Sequence, residues 1–132
     1  MKNIFVNGCF DILHVGHIEL LNYAKSFGNN LTVGIDSDCR VKKLKGENRP
    51  FNNQEDRKKM LLALKSVDYV KIFYSDEDLK NLINYISPDI MIVGIEYKNK
   101  KVIGSEHAKQ LKFFNKIHGY STTSTIQNIT IG

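Results

Sequence analysis

The residues most able to do chemistry lie in one short segment, Asn7 to His17, which follows a predicted buried strand. His14 and His17 are three residues apart, and Gly16 stands between them near the predicted start of a helix. A helix N-terminus presents free N–H groups and a partial positive charge, so it attracts phosphate. Two imidazoles add hydrogen-bond donors there, and Gly8 allows the backbone to approach a ligand closely. The segment predicts a phosphate site.

Two alternatives compete with that interpretation of His14 and His17. An isolated H-x-x-H is often incidental or structural. The pair also resembles half of a zinc site, although no cysteine or third histidine stands at convincing ligand spacing.

A lysine-rich stretch follows the second predicted strand. Lys42, Lys43 and Lys45 lie within residues 36–52, which we expect to form a long loop. A lysine beside a phosphate site neutralises the charge that builds up during phosphoryl transfer. Such a run is more commonly a solvated surface, and both interpretations stay open at this point.

Arg57 stands near the start of the next predicted helix, which Asn53 can cap. The helix dipole disfavours a cation there. Arg57 therefore either reaches toward an anion or forms an ion pair with a neighbouring carboxylate, Glu55 or Asp56.

Three hydroxyl residues near the end of the chain are Ser121, Thr122 and Thr123. They stand at the start of a predicted short helix over residues 121–129. Ser or Thr at a helix start is first of all an N-cap. The same geometry leaves hydroxyl and N–H groups available to a phosphate.

The elements that must position these residues alternate along the chain. Strands are predicted at residues 4–6, 31–35, 69–73 and 90–93, with helices at 17–27, from 53 onward and at 76–86. Gly28 is the expected C′ residue of the first helix, and Met60, Leu61 and Leu64 are expected on the buried side of the second. After Gly94 the pattern weakens to a helix at 105–111 and a strand at 112–118.

This alternation predicts a single α/β domain over residues 1–132, a doubly wound parallel sheet covered on both faces. In such sheets ligands bind at the carboxyl ends of the strands, near the switch point in strand order. The loop after the first strand, which holds both histidines, lies at such an end.

Composition excludes several classes. The chain has 132 residues, 42% hydrophobic and 25% charged, as in a globular domain. Its apolar runs are far shorter than the ~20 residues that cross a bilayer, so we expect no membrane association. Cys9 and Cys39 have no C-x-x-C spacing, which predicts two reduced thiols in a cytoplasmic protein. The net charge of +5 favours anionic partners such as phosphates or nucleic acid.

Common fingerprints are absent. The sequence has no G-x-G-x-x-G, no P-loop and no G-x-S-x-G, which disfavours a dinucleotide dehydrogenase, a P-loop ATPase and a serine hydrolase.

Two motifs together resemble a known family. The segment Gly8 to His17 reads G-x-F-D-x-x-H-x-G-H, and Ser121 to Thr123 reads S-T-T. In this respect the chain is similar to the cytidylyltransferase-like nucleotidyltransferases from about residue 3 to residue 129. Four further segments resemble the adenylyltransferase domain of bacterial ADP-heptose synthases: residues 7–11, 37–38, 44–50 and 119–123. Glycerol-3-phosphate cytidylyltransferases share the two motifs but resemble the middle loop less.

The resemblance implies transfer of a nucleoside monophosphate from an NTP, with ATP favoured, to a sugar or polyol phosphate such as heptose 1-phosphate. Pyrophosphate would leave as the acceptor phosphate attacks in line. Mg²⁺ would accompany the triphosphate with few dedicated protein ligands. The resemblance further implies a homodimer that binds no nucleic acid.

The resemblance also assigns residue roles. The catalytic residues would be His14, His17, Lys42 and Lys45, with Lys43 an alternative to Lys42. The nucleotide-binding residues would be Gly8, Cys9, Phe10, Gly16, Arg57, Gly94, Glu96, Ser121, Thr122 and Thr123. Asp11 would shape the loop and the acceptor site.

One segment departs from the heptose branch. Where that branch has a Gly-Gly-Asp-Tyr-like stretch, this chain has Gly94-Ile95-Glu96-Tyr97. Base and acceptor are expected to meet there, so a cytidylyltransferase that forms a CDP-alcohol such as CDP-glycerol stays an alternative. A small nucleic-acid-binding domain and a nucleotide-binding regulator without catalysis are the alternatives from other classes.

Overall fold

A parallel five-stranded sheet organises the computed structural model, which describes residues 2–115. The strands are β1 (Asn3–Gly8), β2 (Asn30–Asp36), β3 (Tyr69–Phe73), β4 (Ile90–Gly94) and β5 (Gln110–Phe114), in the order β3-β2-β1-β4-β5. The helices are α1 (Val15–Lys25), α2 (Asp38–Lys45), α3 (Gln54–Leu62) and α4 (Asp76–Ile86). Two 3₁₀ turns, Ile95–Tyr97 and Ser105–His107, lie between β4 and β5.

Alternate residues along the strands supply two separate cores. Ile4 of β1 packs in one core with Leu21 of α1 and Leu61 of α3. Phe5, the next residue, packs in the other core with Ile83 of α4. Helices therefore cover both faces of the sheet, and the predicted doubly wound, Rossmann-like α/β fold is confirmed.

The stretch at residues 36–52 was expected to be a loop, and that expectation is wrong. It contains α2, which Ser37 caps by accepting a hydrogen bond from the Arg40 N–H. Asp38 lies in the first turn and lysines lie in the last, as the helix dipole favours. Only Val41 of α2 is buried, so the helix has no apolar periodicity for a sequence to reveal.

Two smaller expectations are also corrected. Helix α1 ends at its C-cap Ser26, and Gly28 lies beyond the cap, where an added Cβ would sit 2.8 Å from the Lys2 carbonyl oxygen. Gly28 therefore allows close packing rather than a left-handed turn. Met60 is exposed, because α3 buries Arg57 and Leu61.

The region after Gly94 also differs from its prediction. The helix expected at residues 105–111 is only the 3₁₀ turn Ser105–His107, and the strand expected at 112–118 is β5, Gln110–Phe114. The predicted helix at 121–129 lies outside the described residues. Within residues 2–115, no helix has the length and apolar character needed to cross a bilayer.

Strand order reverses between β1 and β4. The chain passes from β1 through β2 to β3 on one side, and β4 then pairs with the other side of β1, with Val6 opposite Ile92. Ligands of doubly wound sheets bind outside the carboxyl ends of the strands at such a point. The residues after β1 and after β4 border this crevice.

Candidate active site

His14 and His17 form the start of α1 together. His14 is the N-cap residue, and its Nδ1 accepts a hydrogen bond from the Gly16 N–H at 3.1 Å. His17 Nδ1 accepts one from the His14 N–H at 3.2 Å, which completes a capping box. The two rings stack with centroids 3.9 Å apart. Both histidines therefore hold the helix terminus that was predicted to bind phosphate.

These contacts fix which nitrogen carries the proton. In a neutral imidazole one nitrogen accepts a hydrogen bond and the other donates. Because Nδ1 accepts in His14 and in His17, the neutral rings carry their protons on Nε2. The pair thus supplies two Nε2–H donors beside the positive end of α1, as a phosphate site requires.

Phe10 gives the loop after β1 its shape. Its φ is +50°, a left-handed conformation that is uncommon for a residue other than glycine. Its buried ring lies 5.2 Å from the His17 ring, centroid to centroid. A Cβ at Gly8 would come within 2.9 Å of that ring, so the glycine makes room for Phe10.

Asp11 ties the α2–α3 connection to this loop. Its fully buried carboxylate accepts hydrogen bonds from the Phe51 N–H at 2.9 Å and the Asn52 N–H at 2.8 Å. The Asn52 side chain donates in return to the Asp11 carbonyl at 2.6 Å. These contacts support the predicted role of Asp11 in shaping the loop. The predicted contact with an acceptor is not among them and stays a prediction.

The Arg57 guanidinium is fully buried beneath the same loop. Its Nη1 donates to the Cys9 carbonyl at 2.9 Å and to the Asp36 carbonyl at 2.7 Å. Its Nε donates to the Asn52 carbonyl at 2.9 Å, and its Nη2 donates to Asp38 Oδ1 at 2.8 Å. Arg57 therefore joins the ends of β1 and β2 to the segment before α3.

This placement differs from the contact with β- and γ-phosphates that the resemblance assigned to Arg57, because the guanidinium is inside the protein and donates to protein oxygens. The ion-pair alternative is met by a different partner, since the acid is Asp38 rather than Glu55 or Asp56. We therefore treat Arg57 as a positioning residue.

Lys45 influences the loop after β1. Burial raises the pKa of the Cys9 thiol above its ordinary value, while the charges of Lys45 and Arg57 act in the opposite direction. Lys42 and Lys45 are both exposed on the helix α2 instead of a loop. The charge of Lys45 thus acts on the thiol of Cys9 in the loop after β1.

Glu96 lies at the other border of the crevice. Its carboxyl group folds back over Gly94, where an added Cβ would be 2.5 Å from Glu96 Oε1 and 2.6 Å from its Cδ. Gly94 is the last residue of β4, so this carboxylate lies at the carboxyl end of the strand next to β1. The histidine segment after β1 and the turn after β4, two predicted parts of the site, therefore lie at the ends of adjacent strands. Ser121, Thr122 and Thr123 lie outside the described residues.

Carboxylates near the site are engaged by arginines. Asp38 pairs with Arg57, Asp36 pairs with Arg40, and Asp11 faces another arginine. Within residues 2–115, no group of three His, Cys, Asp or Glu side chains is arranged to hold a metal ion. The zinc alternative for the histidines therefore gains no further ligand within that range.

No site role was predicted from the sequence for three residues that build the site: Asp38, Arg49 and Asn52. Each acts through a partner at least 19 positions away, such as Arg57 for Asp38. Two segments that resemble the heptose branch, residues 37–38 and 44–50, contain Asp38 and Arg49, whereas no sequence signal indicated Asn52.

Comparison with known proteins decides the family. The family model described as Cytidylyltransferase-like matches residues 5–128. The chain belongs to this family. The matched span covers both the histidine segment and the S-T-T segment, so it includes every residue that the resemblance assigned.

Several curated relatives are named bifunctional protein HldE. The chain is 52% identical over 126 residues to the bifunctional protein HldE of Campylobacter fetus and 47% identical over 128 residues to that of Helicobacter pylori. These matches cover 96% and 97% of the chain but 27% of each relative. The predicted resemblance to ADP-heptose synthases is confirmed, and the chain spans about a quarter of the length of these relatives.

Solved structures agree on the fold. A lipopolysaccharide core biosynthesis protein from Thermoplasma volcanium matches with a TM-score of 0.71 at 25% identity, covering 89% of this chain and 98% of that one. A protein of unknown function from Archaeoglobus fulgidus matches with a TM-score of 0.59 at 16% identity, covering 89% of this chain and 99% of that one.

Proposed function

We propose that this protein transfers a nucleoside monophosphate from an NTP, preferentially ATP, to a sugar phosphate such as heptose 1-phosphate and releases pyrophosphate. The observation that carries the proposal is the His14–His17 capping box at the crevice between β1 and β4. It combines two imidazole donors with a helix N-terminus at the position where doubly wound folds bind ligands. The similarity to HldE proteins favours the heptose phosphate as acceptor.

The proposed reaction is a single in-line displacement. A phosphate oxygen of the acceptor attacks the α-phosphorus of ATP and forms a new P–O bond as the bond to the pyrophosphate oxygen breaks. The electron pair of that bond leaves with pyrophosphate, and no covalent enzyme intermediate forms. The protein must therefore position two anions and stabilise charge that shifts among phosphate oxygens.

The Nε2–H groups of His14 and His17 would donate to α-phosphoryl oxygens. Stacking and the capping hydrogen bonds fix both rings before substrate binds, so little reorganisation is needed in the transition state. Lys45 would neutralise the growing charge on the leaving pyrophosphate, with Lys42 contributing from the same exposed side of α2. The backbone of Gly8 to Phe10 and the Gly16 region would line the nucleotide.

Base and acceptor choice would depend on the turn after β4. Glu96 folds over Gly94 at the border of the crevice, and Ile95 is partly exposed beside it. The sequence of this turn departs from that of the heptose branch. For this reason CTP and an alcohol phosphate are the second candidate pair of substrates. Ser121, Thr122 and Thr123 are proposed to hold the triphosphate.

Mg²⁺ is proposed to arrive with the triphosphate and to bind mainly through phosphate oxygens, as this ion commonly does. When bound it would supply charge neutralisation.

A homodimer and a cytoplasmic location complete the proposal. Large apolar side chains stay exposed on the protein, among them Leu44 and Phe51, which supports burial against a second copy. Both cysteines are free thiols, which agrees with a reducing compartment. Sedimentation equilibrium would test the dimer directly.

The test of function is a substrate panel with pyrophosphate detection. Four NTPs are each combined with heptose 1-phosphate, glycerol 3-phosphate or no acceptor. We expect turnover with ATP and heptose 1-phosphate. Turnover only with CTP and glycerol 3-phosphate would support the second candidate, and turnover with GTP or UTP alone would contradict both.

A further inference from the structure

Arg49 is a buried cation, and two of its hydrogen-bond donors have no acceptor in the described part of the protein. It lies between α2 and α3, and its side chain is 13% exposed. Its Nε is 3.5 Å from Asp11 Oδ2, an ion-pair distance too long for a good hydrogen bond. Both Nε and Nη2 are buried and make no hydrogen bond to any residue in the described range.

Arg57 shows that this fold can supply hydrogen-bond acceptors to a buried guanidinium. Its three nitrogens donate to four protein oxygens at 2.7–2.9 Å, within the same group of loops. Arg49 receives no such set, and the Asp11 carboxylate near it already accepts two backbone N–H groups. Removing a charged group from water without hydrogen bonds is costly, so the unfilled donors of Arg49 call for a ligand.

The chemistry of these two nitrogens limits the kinds of ligand that Arg49 can bind. Nε and Nη2 share one edge of the guanidinium, and this edge forms two parallel hydrogen bonds with phosphate or carboxylate oxygens. A guanidinium has N–H donors and no acceptor, so the ligand must be an acceptor, and an anion fits best. Asp11 connects Arg49 to the loop that leads to the two histidines.

We propose that Arg49 is a phosphate-binding residue of this site, whose Nε–Nη2 edge binds oxygens of a substrate phosphate. The inference rests on the proposed function for the identity of the substrate. Two phosphates fit the same chemistry, that of the acceptor and the triphosphate of the nucleotide. The experiment separates them.

The test compares Arg49→Lys and Arg49→Gln with the control Arg40→Lys, which makes the same chemical change in a partly buried arginine whose ion pairs with Asp36 and Asp76 are formed within the protein. Lysine keeps the positive charge of Arg49 but cannot form the bidentate pair of hydrogen bonds. KM for each substrate, kcat and melting temperature are measured for each variant. Calorimetry with pyrophosphate and with inorganic phosphate provides a readout that does not need turnover.

We expect both Arg49 variants to raise the KM of one substrate about tenfold or more, the loss typical of charge-assisted hydrogen bonds. The other KM should stay within about twofold. A raised acceptor KM identifies the acceptor phosphate, and a raised ATP KM with weaker pyrophosphate binding identifies the triphosphate. Arg40→Lys should leave both KM values unchanged.

Unchanged KM values and unchanged phosphate and pyrophosphate affinities in Arg49→Lys would overturn the inference. A lower melting temperature with those affinities intact would do the same, because Arg49 would then serve only as the partner of Asp11. If Arg49→Gln fails to fold, Arg49→Lys decides. If the wild-type protein releases no pyrophosphate with any substrate pair, the proposed function fails, while the calorimetry still tests Arg49.

Discussion

His14 and His17 hold each other in place through crossed contacts at the start of α1. The His14 N–H donates to His17 Nδ1, while His14 Nδ1 accepts from the Gly16 N–H. The residues proposed to contact phosphate are therefore also the cap of the helix. Replacing either histidine by alanine removes a cap contact as well as an imidazole, so the two roles must be separated by the choice of variant.

The capping role predicts a stability difference between two substitutions of His14. His14→Ala should lower the free energy of unfolding by about 1 kcal/mol, the usual cost of losing an N-cap side chain. His14→Asn should retain most of that stability, because asparagine is a favoured N-cap. Urea unfolding of both variants checks this, and equal stability of the two would show that the His14 cap contributes nothing.

Lys45 should lower the pKa of the Cys9 thiol. Its positive charge favours the thiolate, so Lys45→Ala should raise the pKa of Cys9 further above its ordinary value. Lys42→Ala is the matched control and should leave that pKa unchanged. The measurement is the pH dependence of Cys9 alkylation in a Cys39→Ser background, since Cys39 is exposed and would react as well. Equal shifts in the two lysine variants would contradict the distinction between them.

The same lysine variant tests catalysis. Lys45→Ala should lower kcat more than it raises KM, if its charge acts mainly on the transition state. Added salt should partly reproduce the loss in the wild-type protein, because the lysine is exposed. A kcat equal to that of the wild type would identify these lysines as a solvated surface.

Arg57 should prove structural. Arg57→Lys keeps the charge but cannot fill four acceptors at once, so we expect a loss of about 3 kcal/mol in the free energy of unfolding. Urea unfolding provides the measurement. An unchanged stability together with a raised KM for ATP would instead support direct phosphate binding by Arg57.

Asp68 predicts how stability depends on pH. Partial burial works to raise its pKa, but hydrogen bonds from the Lys25 ammonium and the Leu31 N–H lower it below the ordinary 3.8. A lowered folded pKa means that the contribution is complete above the ordinary pKa and is lost as the pH falls through the folded value. Asp68→Asn should therefore be less stable than the wild type at neutral pH, by roughly 1 kcal/mol. The difference should vanish in acid, and a pH-independent difference in chemical unfolding would contradict this.

Much of the fold was predictable because the buried strands are apolar runs of suitable length. β3 and α4 have the predicted bounds, and the loop after β1 was recognised from its histidines and glycines. Helix α2 was not predictable from periodicity, since it buries a single residue, Val41. Its signals were instead the cap Ser37 and the charge order along the helix.

The site was predictable only where its residues are neighbours in sequence. His14, Gly16 and His17 are local, and their grouping on one helix start follows from spacing alone. The roles of Arg57 and Arg49 depend on carbonyls and carboxylates from distant segments, which no local pattern encodes. An arginine whose buried donors have protein acceptors, such as Arg57, cannot be told in sequence from one whose donors lack them, such as Arg49.

The central claim is that the His14–His17 pair performs nucleotidyl transfer, and the most direct measurement is kcat in variants that keep the cap. His14→Asn and His17→Gln preserve an acceptor for each capping N–H but lose the imidazole. With pyrophosphate release from ATP and heptose 1-phosphate as the assay, kcat should fall about 10²–10³-fold in each, at near wild-type melting temperature. His107→Gln, outside the site, should retain wild-type turnover. Near wild-type kcat in folded His17→Gln would contradict the assignment of this site.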